Sequence, residues 1–339
     1  MDIKELSAET SYITDSVAPG LRRGDALGLL ERYKRSARNR HRYCFHQNPD
    51  VDLHDIIICY DSSSYIPPNE HVGKVESLLI LDGSIDLFFF SDNGKVFDYK
   101  RLSANCDGDP FYVRIPPNTW HGLRAVGNEP CIIKETIAGP YDRSTLKWAD
   151  FAPTESEGNE KGHKWYDEIY AECIERGIGE EEEEEIFEKV TDVVFRSTRQ
   201  IVTVSKAQLA PVIDAANNSE LRRARICCHS GPEEKLQEMF IVLKNGCDID
   251  ESMHIRKDES LCVIRGSGEY RFLNEDGSKR SSKLLNSYRD GGPEDEFFFM
   301  RINRFVPHKI FVSCAAMVIY EATTGPFDRA DTAYRIKGV

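Results

Sequence analysis

HVGKVESLLILDG occupies residues 71–83, and HIRKDESLCVIRG occupies residues 254–266. The histidine, a lysine, the Glu-Ser-Leu triplet and the closing glycine recur at the same spacing in both. Three further pairs of segments follow in the same order. RHRYCFHQ (40–47) matches RARICCHS (223–230), FYVRIPPNTWH (111–121) matches FFMRINRFVPH (298–308), and KETIAGPYDR (134–143) matches YEATTGPFDR (320–329). Four anchors in one order mark an internal duplication, with halves near 12–153 and 199–335.

Each half opens on a helical stretch. DALGLLERYKRSAR is expected to start from an Asp25 N-cap, and KAQLAPVIDAANN from Ser205. The remainder of each half reads as short β-rich runs broken by Asp-Gly and Asn-Gly turns, such as SLLILDGSIDLFFFSDNGKVFDYK. Many short strands in a unit of about 100 residues predict an all-β chain of two antiparallel barrels or jelly rolls. The expected division is 1–153, an acidic helical linker at 154–198, and 199–339. Within that linker, HKWYDEIYAECIERG places Trp165, Ile169 and Cys173, and Tyr166, Tyr170 and Ile174, at four-residue intervals. That spacing predicts an amphipathic helix whose aromatic stripe packs on a barrel rather than on a cofactor.

The repeated stretch carries chemistry-bearing residues. His71 and Glu76 open a strand-like run that closes at Gly83, and His121 follows later, after PPNTW. Pro116-Pro117 imposes an extended approach, and Asn118 tolerates a left-handed turn. Strands distant in sequence meet in a barrel, so two imidazoles and one carboxylate can converge on one cation with open positions left over. His254, Glu259 and His308 repeat the set. Such a donor set suits Fe(II), and Mn, Ni and Zn also accept it.

H-x4-E-x6-G followed by P-x-N-x-x-H resembles the two cupin motifs, whose usual forms are H-x-H-x(3,4)-E-x6-G and P-x-G-x-x-H. The leading helix, the R-x-C-x-H strand, SYIPPNEH, PPNTWH and GPYD…WADFAP are similar to the WbuC-type cupin-fold metalloproteins. The similarity covers about 25–153 well and 205–335 more loosely, and it implies a tandem bicupin of double-stranded β-helix barrels. It further implies a metal-dependent reaction on a small polar metabolite, a sugar or sugar nucleotide of surface-polysaccharide metabolism, by oxidation or by isomerase or lyase chemistry. A non-catalytic ligand-binding or sensing cupin is the competing reading. Where the family has its first motif histidine, this chain has Asn69 and Ser252. Asn69 can still offer a carbonyl oxygen as a weak ligand. PPNTWH becomes NRFVPH in the second half, so the first set is expected to hold metal more securely than the second.

Other residues compete for roles. Arg42, Cys44 and His46 alternate and share one face of a strand, as do Arg225, Cys227 and His229. His46 and His229 are candidates for an extra ligand, a proton shuttle or a substrate contact if that face is internal, and structural residues if it is not. Arg114 and Arg301 precede the second motif and suit carboxylate or phosphate binding, or equally an ion pair. Glu135 and Glu321 are candidate partners for a ligand histidine. His54 and His163 receive no role, and Cys227-Cys228 is a weak candidate for a soft metal because adjacent strand residues face opposite ways.

Composition sets outer limits. The chain has 339 residues, is 40% hydrophobic and carries a formal net charge of −13. Residues 154–190 hold 14 acidic side chains against 4 basic ones, so most of that charge is local. Neither part reads as a nucleic-acid surface, no helix-turn-helix accompanies the barrels, and no apolar run has the length of a membrane span. MDIKELSAET lacks the pattern of a secretory signal. A cytoplasmic protein with ten reduced cysteines is therefore the expectation, and the cupin resemblance adds a small-molecule substrate and homodimerisation as what such barrels often show.

Overall fold

The computed structural model describes residues 2–13, 18–106, 108–179, 187–247 and 249–334. The acidic run Glu180–Glu185, expected as a solvated linker or helix face, lies outside them. The chain is mainly β, and its two halves repeat one jelly-roll plan.

In the first half, eight strands form one sheet, in the order Ile3–Ser7, Thr10–Ile13, Arg40–Cys44, Leu53–Tyr60, Cys131–Ala138, Glu76–Asp82, Tyr112–Ile115 and Val202–Val204. Leu146–Trp148, Asn69–His71, Trp120–Val126, Ser84–Phe90 and Val96–Ser103 form the facing sheet. Alternation along each strand decides what is enclosed. Leu78, Ile80, Ile85, Leu87, Phe89, Val113, Ile115 and Ile133 meet in the barrel interior. The second half repeats this order in one continuous sheet, because Leu285 pairs with Phe297 and joins its two faces.

Gly83 and Gly266 close the repeated stretch at φ 76° and 80°. A Cβ on Gly83 would lie 2.7 Å from Cys131 Sγ, and one on Gly266 2.5 Å from the Ala316 carbonyl oxygen. Left-handed backbone and close approach therefore both require glycine at these turns.

The halves are interlocked. Gly20–Arg22, ahead of the first barrel, pairs with Phe297–Ile302 of the second, and Val202–Val204, ahead of the second barrel, pairs with Tyr112–Ile115 of the first. Between the barrels lies a shared apolar core that includes Phe45, Leu79, Phe111 and Tyr112 from one half and Phe240, Phe299 and Tyr320 from the other. The expected boundary at 198 thus differs from the spatial one. Phe187–Thr191 and Val194–Ser197 form a hairpin whose second strand runs parallel to Arg223–Cys227, as Ile3–Ser7 and Thr10–Ile13 do beside Arg40–Cys44. Their short polar strands carry too little apolar alternation to announce themselves in sequence.

Ser205 caps the helix Lys206–Asn218 in a reciprocal capping box with Gln208. Asp25, however, is the first residue of its helix rather than the cap, and its carboxylate bonds Arg22 at 2.9 Å. The linker helix Asn159–Arg176 lays Trp165, Tyr166, Ile169, Tyr170 and Cys173 on Phe88, Phe90, Tyr99, Trp120 and Phe151, on the outside of the first barrel. Ile174, placed in the stripe by its spacing, is exposed instead. No helix among the described residues is long and apolar enough to cross a membrane. All ten cysteines are free thiols.

Candidate metal centres

In the first barrel, the short strand Asn69–His71 lies beside Trp120–Val126, with Asn69 directly opposite His121. Glu76 starts the strand across the barrel. Its Oε2 is 3.3 Å from His71 Nε2 and 2.9 Å from His121 Nε2. The two rings stand 6.3 Å apart and 25° from parallel. His121 Nδ1 is 2.9 Å from the Thr119 carbonyl, which fixes the donor at Nδ1 and leaves Nε2 an acceptor. Oε2 of Glu76 and Oδ1 of Asn69 are buried without a hydrogen-bond donor. A buried carboxylate oxygen between two imidazoles, with a second unpartnered acceptor on Asn69 in the strand opposite His121, calls for a proton or a cation, so these residues fit a metal ion. Burial opposes charge on His71, but Glu76 outweighs it and raises the imidazole pKa. Burial likewise opposes ionisation of Glu76, yet His71 and His121 hold it well below the usual carboxylate range.

The second barrel gathers its set more tightly. Among the described residues, His254, Glu259 and His308 are the cluster whose ligand atoms all lie within 4.8 Å of one another. Glu259 Oε2 is 2.8 Å from His254 Nε2 and 3.9 Å from His308 Nε2. Ser252, opposite His308 in register as Asn69 is opposite His121, places its hydroxyl 3.1 Å from His308 Nε2. Burial opposes ionisation of Glu259 too, but His254 and His308 prevail and bring its pKa to about 2.

The altered turn before His308 therefore keeps the geometry that the lost prolines put in doubt. Asn118 adopts φ 58° and its N–H donates to the His71 carbonyl at 3.0 Å. Phe305, its counterpart, adopts φ 64° and donates to the His254 carbonyl at 2.7 Å. His308 Nδ1 meets the Val306 carbonyl at 2.8 Å. Backbone carbonyls, not Glu135 and Glu321, thus orient His121 and His308. Those two glutamates share the internal face instead, Glu135 opposite Leu78 and Glu321 opposite Leu261. Burial, reinforced by Glu76 and Glu259, pushes their pKa values up to about 7 and about 8.

The four candidate catalytic residues lie elsewhere. Arg114 pairs with Ser77, one residue beyond Glu76, so its side chain leaves the barrel on the opposite face. It is buried between the barrels, bonded to Glu234 and Glu238 of the other half. Arg301 does the same from the second barrel, reaching Asp55 and Asp258 at 2.7 Å each. Both guanidiniums are thus engaged by carboxylates away from the barrel interiors, which is the ion-pair alternative for these positions. His46 is buried, stacked on His54 at 4.2 Å and edge-on to Tyr12, with Nδ1 3.3 Å from the Asp55 carbonyl. Burial, with His54 second, lowers its pKa to about 3. His229 Nδ1 engages the backbone of Glu238 at 3.0 Å. Both histidines are packed as neutral structural rings. Sequence reasoning missed Tyr270, whose hydroxyl lies 3.3 Å from Glu259 Oε1. The internal repeat held the signal, since Tyr270 stands where the first half has Leu87.

Fold and ligand placement together define a bicupin: two cupin barrels in one chain, each enclosing a His/Glu/His set. A profile described as "Domain of unknown function (DUF6016)" matches residues 25–102 and again 204–285, once per half. Salicylate 1,2-dioxygenase from Pseudoaminobacter salicylatoxidans is similar in fold. A point variant in complex with gentisate superposes with TM-score 0.54 at 12% identity, over 100% of this chain and 89% of that one. A second variant gives 0.55 at 12% identity, over 100% and 91%. Oxalate decarboxylase from Bacillus subtilis gives 0.46 at 11% identity, over 84% and 71%. No curated protein sequence matches significantly.

Proposed function

We propose that this protein is a metal-binding bicupin that acts as a mononuclear metal-dependent enzyme on a small polar metabolite. The observation that carries the reading is the twice-built set of two imidazoles and one buried carboxylate, with Glu76 Oε2 and Asn69 Oδ1 lacking any donor. His71, Glu76 and His121, with Asn69 as a weak fourth donor, would hold one ion, and His254, Glu259 and His308 a second. Fe(II) is favoured by the donor chemistry, with Mn, Ni or Zn as other occupants. When bound, the ion supplies Lewis acidity and, if it is iron, redox chemistry.

The chain's own residues do the rest. Thr119 and Val306 carbonyls keep Nε2 of His121 and His308 turned inward. Glu135 and Glu321, whose carboxyl pKa values are raised by burial and by the neighbouring Glu76 and Glu259, lie on the same internal faces. A sugar or sugar-nucleotide substrate is supported only by the likeness to WbuC-type cupins.

A second reading has one observation in its favour. Ser252 and Tyr270 already hydrogen-bond His308 and Glu259, so the second barrel can satisfy its polar groups without an ion and bind a ligand non-catalytically. Chelation discriminates. Under the enzyme reading, treatment with a chelator abolishes turnover of a sugar-nucleotide panel, and Fe(II) or Mn(II) restores it. Saturable binding of the same compounds, unchanged by the chelator and without turnover, supports the ligand-binding reading instead.

A further inference from the structure

Tyr270 lies on Ser267–Leu273, opposite Ile310 in register and two residues along from the Phe272–His308 pair. It is 3% exposed. Its hydroxyl lies 3.3 Å from Glu259 Oε1, and its ring centroid stands 5.3 Å from that of His308. A buried phenol seeks an acceptor, and Oε1 is placed to receive it. The other oxygen of the same carboxylate, Oε2, faces the two imidazoles. A residue that fixes one carboxylate oxygen sets the direction of the other.

The first barrel lacks this device. Leu87 occupies the equivalent place, fully buried among Leu78, Ile80 and Phe89, and offers no donor. All three candidate ligands keep their type between the barrels, so the Leu87/Tyr270 exchange is a difference beside the ligand set rather than within it. We propose that Tyr270 is a positioning residue of the second metal site, holding Glu259 Oε1 so that Oε2 is aimed at the ion shared with His254 and His308. This rests on the metal reading above and adds a residue to it.

The test uses the full-length chain and Co(II), followed by its visible absorption. A His121→Ala background removes a ligand from the first barrel, so that the titration reports the second. Adding Tyr270→Phe there is expected to weaken Co(II) binding about 10- to 100-fold. In a His308→Ala background, which reports the first barrel, Tyr270→Phe should leave affinity unchanged. Tyr270→Leu, which installs the first barrel's own residue, provides a second variant if the phenylalanine form folds poorly, with the apo unfolding midpoint as the check. Equal affinities with and without the hydroxyl overturn the role of Tyr270 and leave the metal reading standing. Absence of Co(II) binding in the His121→Ala background overturns both for this barrel.

Discussion

The turn before each candidate ligand histidine decides how its ring is presented. His121 and His308 each donate Nδ1–H to a carbonyl two residues back, so Nε2 has one direction left. The turns behind them need a left-handed residue, and the first half meets this with Asn118. The second half meets it with Phe305, which is 60% exposed and pays for φ 64° without compensating burial. Phe305→Asn should therefore raise stability by about 1 kcal/mol, read as a higher urea midpoint with an unchanged slope. A lower midpoint would mean that the aromatic ring contributes more than the backbone loses. That His71, Glu76 and His121 converge, and His254, Glu259 and His308 likewise, was legible, because the His-x4-Glu spacing occurs in both halves and each is followed by a further histidine behind a turn. Which of the two readings of Arg114 and Arg301 holds was not, because it depends on strand register, and a shift of one residue exchanges the inside of the barrel for the outside.

At the scale of the element, single strands serve two clients. On Glu76–Asp82, Glu76, Leu78 and Ile80 face the barrel interior while Ser77, Leu79 and Leu81 face the other half. Ser77 bonds Glu238, and its counterpart Ser260 bonds Asp55 at 2.7 Å. The strand Leu53–Tyr60 adds a pH-dependent feature. His54 bonds the Pro49 carbonyl through Nε2 at 3.1 Å and stacks on His46, with Asp55 and Arg301 also nearby. Gln237, at the equivalent place, ties the corresponding loop through three carbonyls with a neutral amide. Burial lowers both histidine pKa values from 6.5, that of His46 to about 3. The folded state thus prefers neutral rings that the unfolded chain protonates. Their stabilisation is complete above pH 6.5 and is lost as pH falls towards the folded values. His54→Gln is expected to lose less stability than wild type between pH 7 and pH 5 in urea titrations. An equal loss would show that the stacked pair does not govern it.

For the whole molecule, the two barrels are packed as one body. Each lends the other a strand, their apolar core is continuous, and Asp55 sits between Lys134 at 3.0 Å and Arg301 at 2.7 Å. Burial opposes the Asp55 charge, but Lys134 and Arg301 prevail and bring its pKa to about 2. Removing one member of such a buried group strands the others, so Asp55→Ala should cost about 3–5 kcal/mol. Calorimetry should show one transition in wild type, and two resolved transitions would contradict a shared core. The duplication and the jelly-roll class were readable from four paired segments and the turn punctuation. The exchanged strands Gly20–Arg22 and Val202–Val204 were not, because three residues carry too little pattern to show which sheet they join. If both barrels hold a metal as proposed, the metal content of the purified protein reports it. After reconstitution with Fe(II) or Mn(II), elemental analysis should find near-stoichiometric metal in wild type, a partial loss in His71→Ala or His254→Ala, and almost none in the double variant. Less than about 0.2 metal per chain in reconstituted wild type would contradict metal binding by either barrel, since a preformed multi-ligand site binds tightly.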